Sequence, residues 1–291
     1  MEKQIIEIGN ESIIDTIKLY SKAVLPKKKI DSNTIPNVII RKTGVSFSKS
    51  EIDYFVDLVG FKKDSSLIPA IYVNLVAFKL QMHLILHDDF PYPAMGMVHI
   101  SNKIIQHKPF RLEEIVKIEA YFDKPKTHNR GKVFTVITKV YDKNGAVLVE
   151  NHADQLKILT QGEKSTEPKK EFVAIEGDAN QWKVFGNTGR NFSKVSGDRN
   201  PIHLFKITAN LFGFKRHIAH GMYSVSKGLA ELDKKITNIN AFEYYAEFKQ
   251  PVFLPGTANF ILSEKSQDEF IFELVNANKS KLHMSGYFKK L

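Results

Sequence analysis

The order of elements along this chain repeats, and that repetition constrains the fold more than any single motif does. In the first half of the 291 residues, an apolar segment over 68–87 has the length of a helix. After Gly96 come strand-like runs at 98–108, 115–122, 133–141 and 146–159. In the second half, a helix over 221–232 precedes runs at 242–249, 258–263, 270–276 and 282–289, which are rich in β-branched and aromatic residues. A local phrase repeats as well: Gln106-His-Lys-Pro-Phe-Arg-Leu aligns with Phe248-Lys-Gln-Pro-Val-Phe-Leu, each closing one strand and leading to the next. Between the two series lies Gln161-Gly-Glu-Lys-Ser-Thr-Glu-Pro-Lys-Lys-Glu171, a charged run without an apolar residue and with the composition of a linker. The expectation is an α+β chain in which one central helix wrapped by an antiparallel sheet is made twice. Its domains would span 1–160 and 172–291, with 161–171 as the linker.

Composition narrows the chemistry. With no Cys, thiol catalysis, thiolate metal sites and disulfides are excluded. The segment 67–86 is long enough to span a bilayer, but it contains Asn74, Lys79, Gln81 and His83, which suit a buried helix of a soluble protein better than a membrane span. The N-terminus has acidic residues and no apolar core of signal-peptide length, so a cytoplasmic protein is expected. The net charge is +10, and each half of the chain carries +5: 23 basic and 18 acidic side chains up to residue 160, 19 and 14 after it. An evenly spread surplus, with no basic tail, fits a small polyanionic ligand or an acidic protein at least as well as DNA.

The informative segment is Asn191-Phe-Ser-Lys-Val-Ser-Gly-Asp-Arg-Asn-Pro-Ile-His203, with His220-Gly221-Met222 seventeen residues later. Asn200 is a good N-cap, Pro201 suits the first helical position and Gly213 suits a helix end, so a helix over 201–212 is expected. His203 then lies in its first turn, where the positive end of the helix dipole disfavours the imidazolium. Asp198 sits just before the cap, spaced to converge with His203 on one water or hydroxyl. Gly221 opens the second helix, where backbone N–H groups have no intrahelical acceptor and no Cβ blocks approach, a site for a developing oxyanion. An acid/base pair plus an oxyanion site is what elimination or addition next to a thioester carbonyl requires.

Ser196-Gly-Asp-Arg-Asn-Pro-Ile-His203 and Ile218-Ala-His-Gly-Met222 resemble the signature of MaoC-like dehydratases, the (R)-specific enoyl-thioester hydratase group with the hot-dog fold. The resemblance implies a double hot-dog protein whose second half carries the hydratase site and whose first half lacks the motif. It implies Asp198 and His203 as the catalytic pair, Asn200 as support for their loop, and the Gly221 amide as the binder of the thioester oxygen. Ser196, His220 and Met222 would line the substrate site. Lys206, Lys215 and Arg216 would meet the phosphates of coenzyme A or the acidic face of an acyl carrier protein. Phe192 stands where many members have Tyr, and Phe205 where an acidic residue often follows the His.

The reading that results is hydration of trans-2-enoyl thioesters, or dehydration of (R)-3-hydroxyacyl thioesters, with no metal or redox cofactor. Coenzyme A or phosphopantetheine enters only as part of the substrate. Two rivals are an acyl-thioester hydrolase on the same fold and a non-catalytic acyl-thioester-binding module. Nucleic acid is not an expected partner. The assembly would be a monomeric pseudo-dimer or a homodimer. His83 and His87, with Asp88 and Asp89, have a conceivable metal-ligand spacing, but a helix end naturally collects such residues. Lys27-Lys28-Lys29 reads as a solvated loop, and the single Trp182 as a core residue.

Overall fold

The computed structural model describes residues 3–9, 22, 31, 34–45, 47–62, 67–159, 172–237 and 239–291; the linker at 161–171 and Lys27–Lys29 lie outside the described residues. The strands are β1 (Gln4–Glu7), β2 (Val38–Thr43), β3 (Met97–Gln106), β4 (Lys117–Phe122), β5 (Lys126–His128), β6 (Gly131–Tyr141), β7 (Val147–Ile158), β8 (Asp178–Val184), β9 (Phe242–Phe248), β10 (Gly256–Ser266), β11 (Glu269–Asn276) and β12 (Leu282–Lys290). The helices are α1 (Lys49–Val59), α2 (Ala70–Val76), α3 (Phe78–Ile85), α4 (Thr188–Ser196), α5 (Pro201–Leu204), α6 (Lys206–Asn210) and α7 (Gly221–Lys235).

The strands form one sheet in the order β1-β2-β4-β6-β7-β3-β9-β12-β11-β10-β8, with β5 paired to β6. Read outward from the centre, β3, β7, β6, β4 and β2 match β9, β12, β11, β10 and β8, so the two halves mirror each other. Only β1, parallel to β2, has no counterpart in this order. The halves join where β3 pairs antiparallel with β9. The offset that aligns Gln106 with Phe248 also aligns Lys103 with Tyr245, and these two pair directly across the join. The repeated phrase therefore marks a pseudo-twofold axis through the centre of the sheet. This is a double hot-dog fold.

The eight strands expected from sequence are all present, with ends shifted by a few residues. The expected helix over 68–87 is divided at Ala77 into α2 and α3. Two of its polar residues have a structural reason: Gln81 Nε2 donates to Asn74 Oδ1 at 3.0 Å and to Thr138 Oγ1 at 3.1 Å, and both Asn74 and Gln81 are buried. Buried amides paired in this way satisfy each other inside an apolar face. No described helix is long and apolar enough to cross a membrane. Trp182 is buried and stacks on Phe260 at 5.1 Å, as a core residue should.

Helix α7 packs over the second half of the sheet. A Cβ at Gly228 would come 2.8 Å from Tyr244 Oη and 3.2 Å from the Phe260 ring. The absence of a side chain there lets the helix approach β9 and β10 closely and sets the height of its N-terminus.

Candidate active site

The site is assembled at three chain reversals. Helix α4 ends on Gly197 in the left-handed region (φ 72°), which only glycine adopts without strain, and the chain turns into Asp198. Asp198 Oδ1 accepts the Asn200 N–H at 3.0 Å, and Asn200 Oδ1 in turn accepts the Ile202 N–H at 3.3 Å, capping α5. Asn200 thus links the turn at Asp198 to the start of α5. Buried Ser196 holds the turn from the other side, accepting the Asp198 N–H at 3.2 Å and donating to the Phe192 carbonyl at 3.1 Å.

His203 is buried in α5, and its Nδ1 lies 2.9 Å from the Ile218 carbonyl oxygen. A carbonyl only accepts, so Nδ1 carries the proton and Nε2 keeps its lone pair. Its height is fixed by α4: a Cβ on Gly189 would lie 2.0 Å from the His203 carbonyl oxygen. The expected helix over 201–212 is instead two short ones broken at extended Phe205 (φ −142°, ψ 151°). Arg190 Nη1 takes the Leu204 carbonyl at 2.8 Å and the Phe205 carbonyl accepts the Ala209 N–H at 3.0 Å, so both loose ends are satisfied. A helix as short as α5 carries little dipole, and the neutrality of His203 has another cause. Burial holds its pKa below the usual 6.5.

His220 caps α7 and stacks on His203 with centroids 3.8 Å apart and planes 27° from parallel. Its Nε2 donates to the Asp198 carbonyl at 3.0 Å and lies 3.9 Å from Asp198 Oδ2. Burial, and then the neighbouring His203, push its pKa down to about 4. Two rings in van der Waals contact cannot both hold a charge in such a place, so the stack is neutral near pH 7. The ligand atoms of Asp198, His203 and His220 lie within 4.8 Å of one another, a spacing that also suits a cation. Among the described residues, His83, His87, Asp88 and Asp89 form no comparable group.

Gly221 begins α7 directly beyond His220. A Cβ there would meet the Phe248 ring at 3.0 Å, so a side chain would disturb the ring that packs over the helix start. Met222 is half-buried against the core. Lys206, Lys215 and Arg216 are exposed and lie outside the buried cluster; Arg216 Nη1 donates to the Pro255 carbonyl at 3.0 Å.

Two neighbours escaped the sequence reading as contacts. Phe192 is fully buried, with its ring 5.2 Å from His220 and 5.7 Å from Tyr223, so it forms a wall of the site. His99 comes from β3 in the first half. Its ring stands edge-on to Phe248 at 5.0 Å, its Nε2 is buried without a hydrogen-bond partner, and burial pushes its pKa down to about 4 against the opposing pull of Asp154 and Asp198. A lone His in the half without the motif gave no signal by which sequence could find it.

The MaoC-like domain profile matches residues 174–285, the span that holds every residue of this cluster except His99. The second half of the chain is a MaoC-like domain. The MaoC likeness extends into the first half. The chain is 27% identical over 235 residues to 3-hydroxyacyl-thioester dehydratase X of Mycobacterium tuberculosis, covering 80% of this chain and 82% of that one. The crystal structure of that dehydratase superposes with a TM-score of 0.73 at 25% identity, over 87% of this chain and all of the other. A MaoC-like dehydratase from Phytophthora capsici shares the fold at a TM-score of 0.71 and 15% identity, over 91% of this chain and 98% of that one. The 12:0-ACP thioesterase of Umbellularia californica shares it at 0.56 and 10% identity, over 86% and 96% of the two chains, so the fold alone does not separate dehydration from hydrolysis.

Proposed function

We propose that this chain is a hydro-lyase that interconverts trans-2-enoyl and (R)-3-hydroxyacyl thioesters. The observation that carries the reading is the convergence of the Asp198 carboxylate and the buried His203 imidazole beside the N-terminus of α7. In the hydration direction a water sits between the Asp198 carboxylate and His203 Nε2. Its oxygen bonds to the β-carbon, one of its O–H bonds breaks, and that proton passes through the pair to the α-carbon. The second proton stays on the new hydroxyl, and the pair returns to its starting state. Negative charge that develops on the thioester oxygen is met by the Gly221 N–H, which is preorganised and needs no rearrangement during the step. Acid/base work of this kind is worth typically 10²–10⁴-fold. No metal or redox group enters these steps.

His220 serves the pair by holding the Asp198 carbonyl and covering one face of His203. Ser196 and Met222 belong to the wall. Residues 1–160 and 172–291 act as two hot-dog domains, the first silent in chemistry. Coenzyme A and acyl carrier protein both present the required thioester.

The test is the loss of conjugated enoyl-thioester absorbance when purified protein meets crotonyl-CoA and a longer trans-2-enoyl-CoA, with chiral analysis of the 3-hydroxyacyl product. Turnover should collapse in Asp198→Asn and in His203→Ala while both variants remain folded. Release of free thiol from saturated acyl-CoA, with no hydration, would replace this reading with hydrolysis.

A further inference from the structure

From Arg199 to Ala230 the chain has no Asp or Glu, yet it holds Arg199, Lys206, Lys215, Arg216 and Lys227. Around α6 the same stretch also exposes apolar side chains. Ile207 is 78% and Leu211 80% exposed, with Phe205 and Phe212 also on the surface. Soluble chains rarely leave large aliphatic groups together in water without a use for them. Here they project from α6 and the turn after it, starting two residues beyond His203.

The patch is built rather than loose. Thr208 Oγ1 donates to the Pro201 carbonyl at 2.6 Å, tying α6 to α5, and Ala209 is buried beneath it. The Arg190 guanidinium lies 4.9 Å over the Phe205 ring while donating to the Leu204 carbonyl. Anything seated on Ile207 and Leu211 is therefore in rigid connection with the helix that carries His203.

Resting on the proposed reaction, we infer that this surface docks an acidic carrier protein that presents the acyl group on a phosphopantetheine arm. Exposed aliphatic side chains in a stretch whose exposed charges, Arg199, Lys206 and Lys215 among them, are all positive match a helix whose apolar stripe is flanked by carboxylates. A nucleic acid would have no use for Ile207 and Leu211. A bilayer would bring hydrocarbon to the side where the polar arm of the thioester has to enter. A substrate on free coenzyme A needs no exposed aliphatic surface at all. A carrier protein needs one beside the reaction site, because its acyl group travels only as far as the arm reaches.

The test compares kcat/KM for a crotonyl group on coenzyme A and on an acidic acyl carrier protein, in the native chain and in Ile207→Asp/Leu211→Asp. The double variant should lose at least tenfold on the carrier-protein substrate, mainly through KM, and stay within about twofold on crotonyl-CoA. Equal losses on both substrates, or none on either, overturn the assignment. So does a native dimer that the variant breaks on size-exclusion chromatography, which would make the patch a self-interface. Binding to phosphatidylglycerol vesicles that only the variant loses would give the surface to lipid and likewise overturn it. If neither substrate turns over, the proposed reaction fails first; holo-carrier binding to the two proteins, read by fluorescence anisotropy, then decides the docking surface alone.

Discussion

Gly189 offers the sharpest test of how the site is held. Its would-be Cβ lies 2.0 Å from the His203 carbonyl oxygen, whereas ordinary contact begins at 3.4 Å. Gly189→Ala therefore forces α4 and α5 apart by about 1.4 Å, the difference between those distances, because the obstacle is backbone and not a flexible tip. Overpacking of this kind costs about 1–3 kcal/mol of stability. The functional cost should be larger, since the displaced backbone carries His203, and a misplacement of about 1 Å at a reacting group loses on the order of 10²-fold. The assay is kcat on crotonyl-CoA beside urea unfolding of the same preparations. A variant destabilised within that range but with kcat within twofold of native would refute the argument that α4 sets the position of His203.

Two further outcomes follow from the same contacts. Ser196→Ala removes the acceptor of the Asp198 N–H, which should cost about 1–3 kcal/mol and lower kcat more than it changes KM, as steady-state kinetics with urea titration would show. His99 and His220, each held near 4, bind no proton in the folded chain between that value and 6.5, whereas the unfolded chain does. Stability is therefore greatest above pH 6.5 and is lost as pH falls toward 4, by about 3 kcal/mol for each ring over the window. In His99→Gln the slope of unfolding free energy between pH 6 and 5 should shrink by about 1 kcal/mol per pH unit, and an unchanged slope would remove His99 from the account.

The loop from Asp198 to His203 was legible because its determinants are local. Asp198, Asn200, Pro201 and His203 are a turn, a cap and a first helical turn, and each step depends on its immediate neighbours. The strands were legible because their runs are long and one-sided. The elements around the loop were not. Strand β8 is an edge strand with only Trp182 and Val184 buried, so it lacks the alternation that marks a strand. Helix α4 contains Gly189 and Asn191, poor helix formers, and is held by packing against α1, α2 and α5. The stacking of His220 on His203 joins two segments seventeen residues apart, and no local pattern states which way either ring faces.

Why only one half is equipped can be argued from the helix starts. Helix α7 opens at His220-Gly221, whose first helical residue has no Cβ and whose N-cap ring is turned to the Asp198 carbonyl. Helix α2 opens at Pro69-Ala70, so the position that matches Gly221 carries a Cβ. Its surroundings are already filled: Ile68 and Ala70 are buried, and the Ile68 N–H is spent on the Phe110 carbonyl. The first half is nevertheless not dispensable. Its strand β3 pairs along β9, and Asn102 and Ile104 at that join are fully buried, so parting the halves would open a long sheet edge to water. The same strand carries His99 to the Phe248 ring that covers Gly221. The first half thus supplies both the edge that closes the sheet and a ring beside the start of α7.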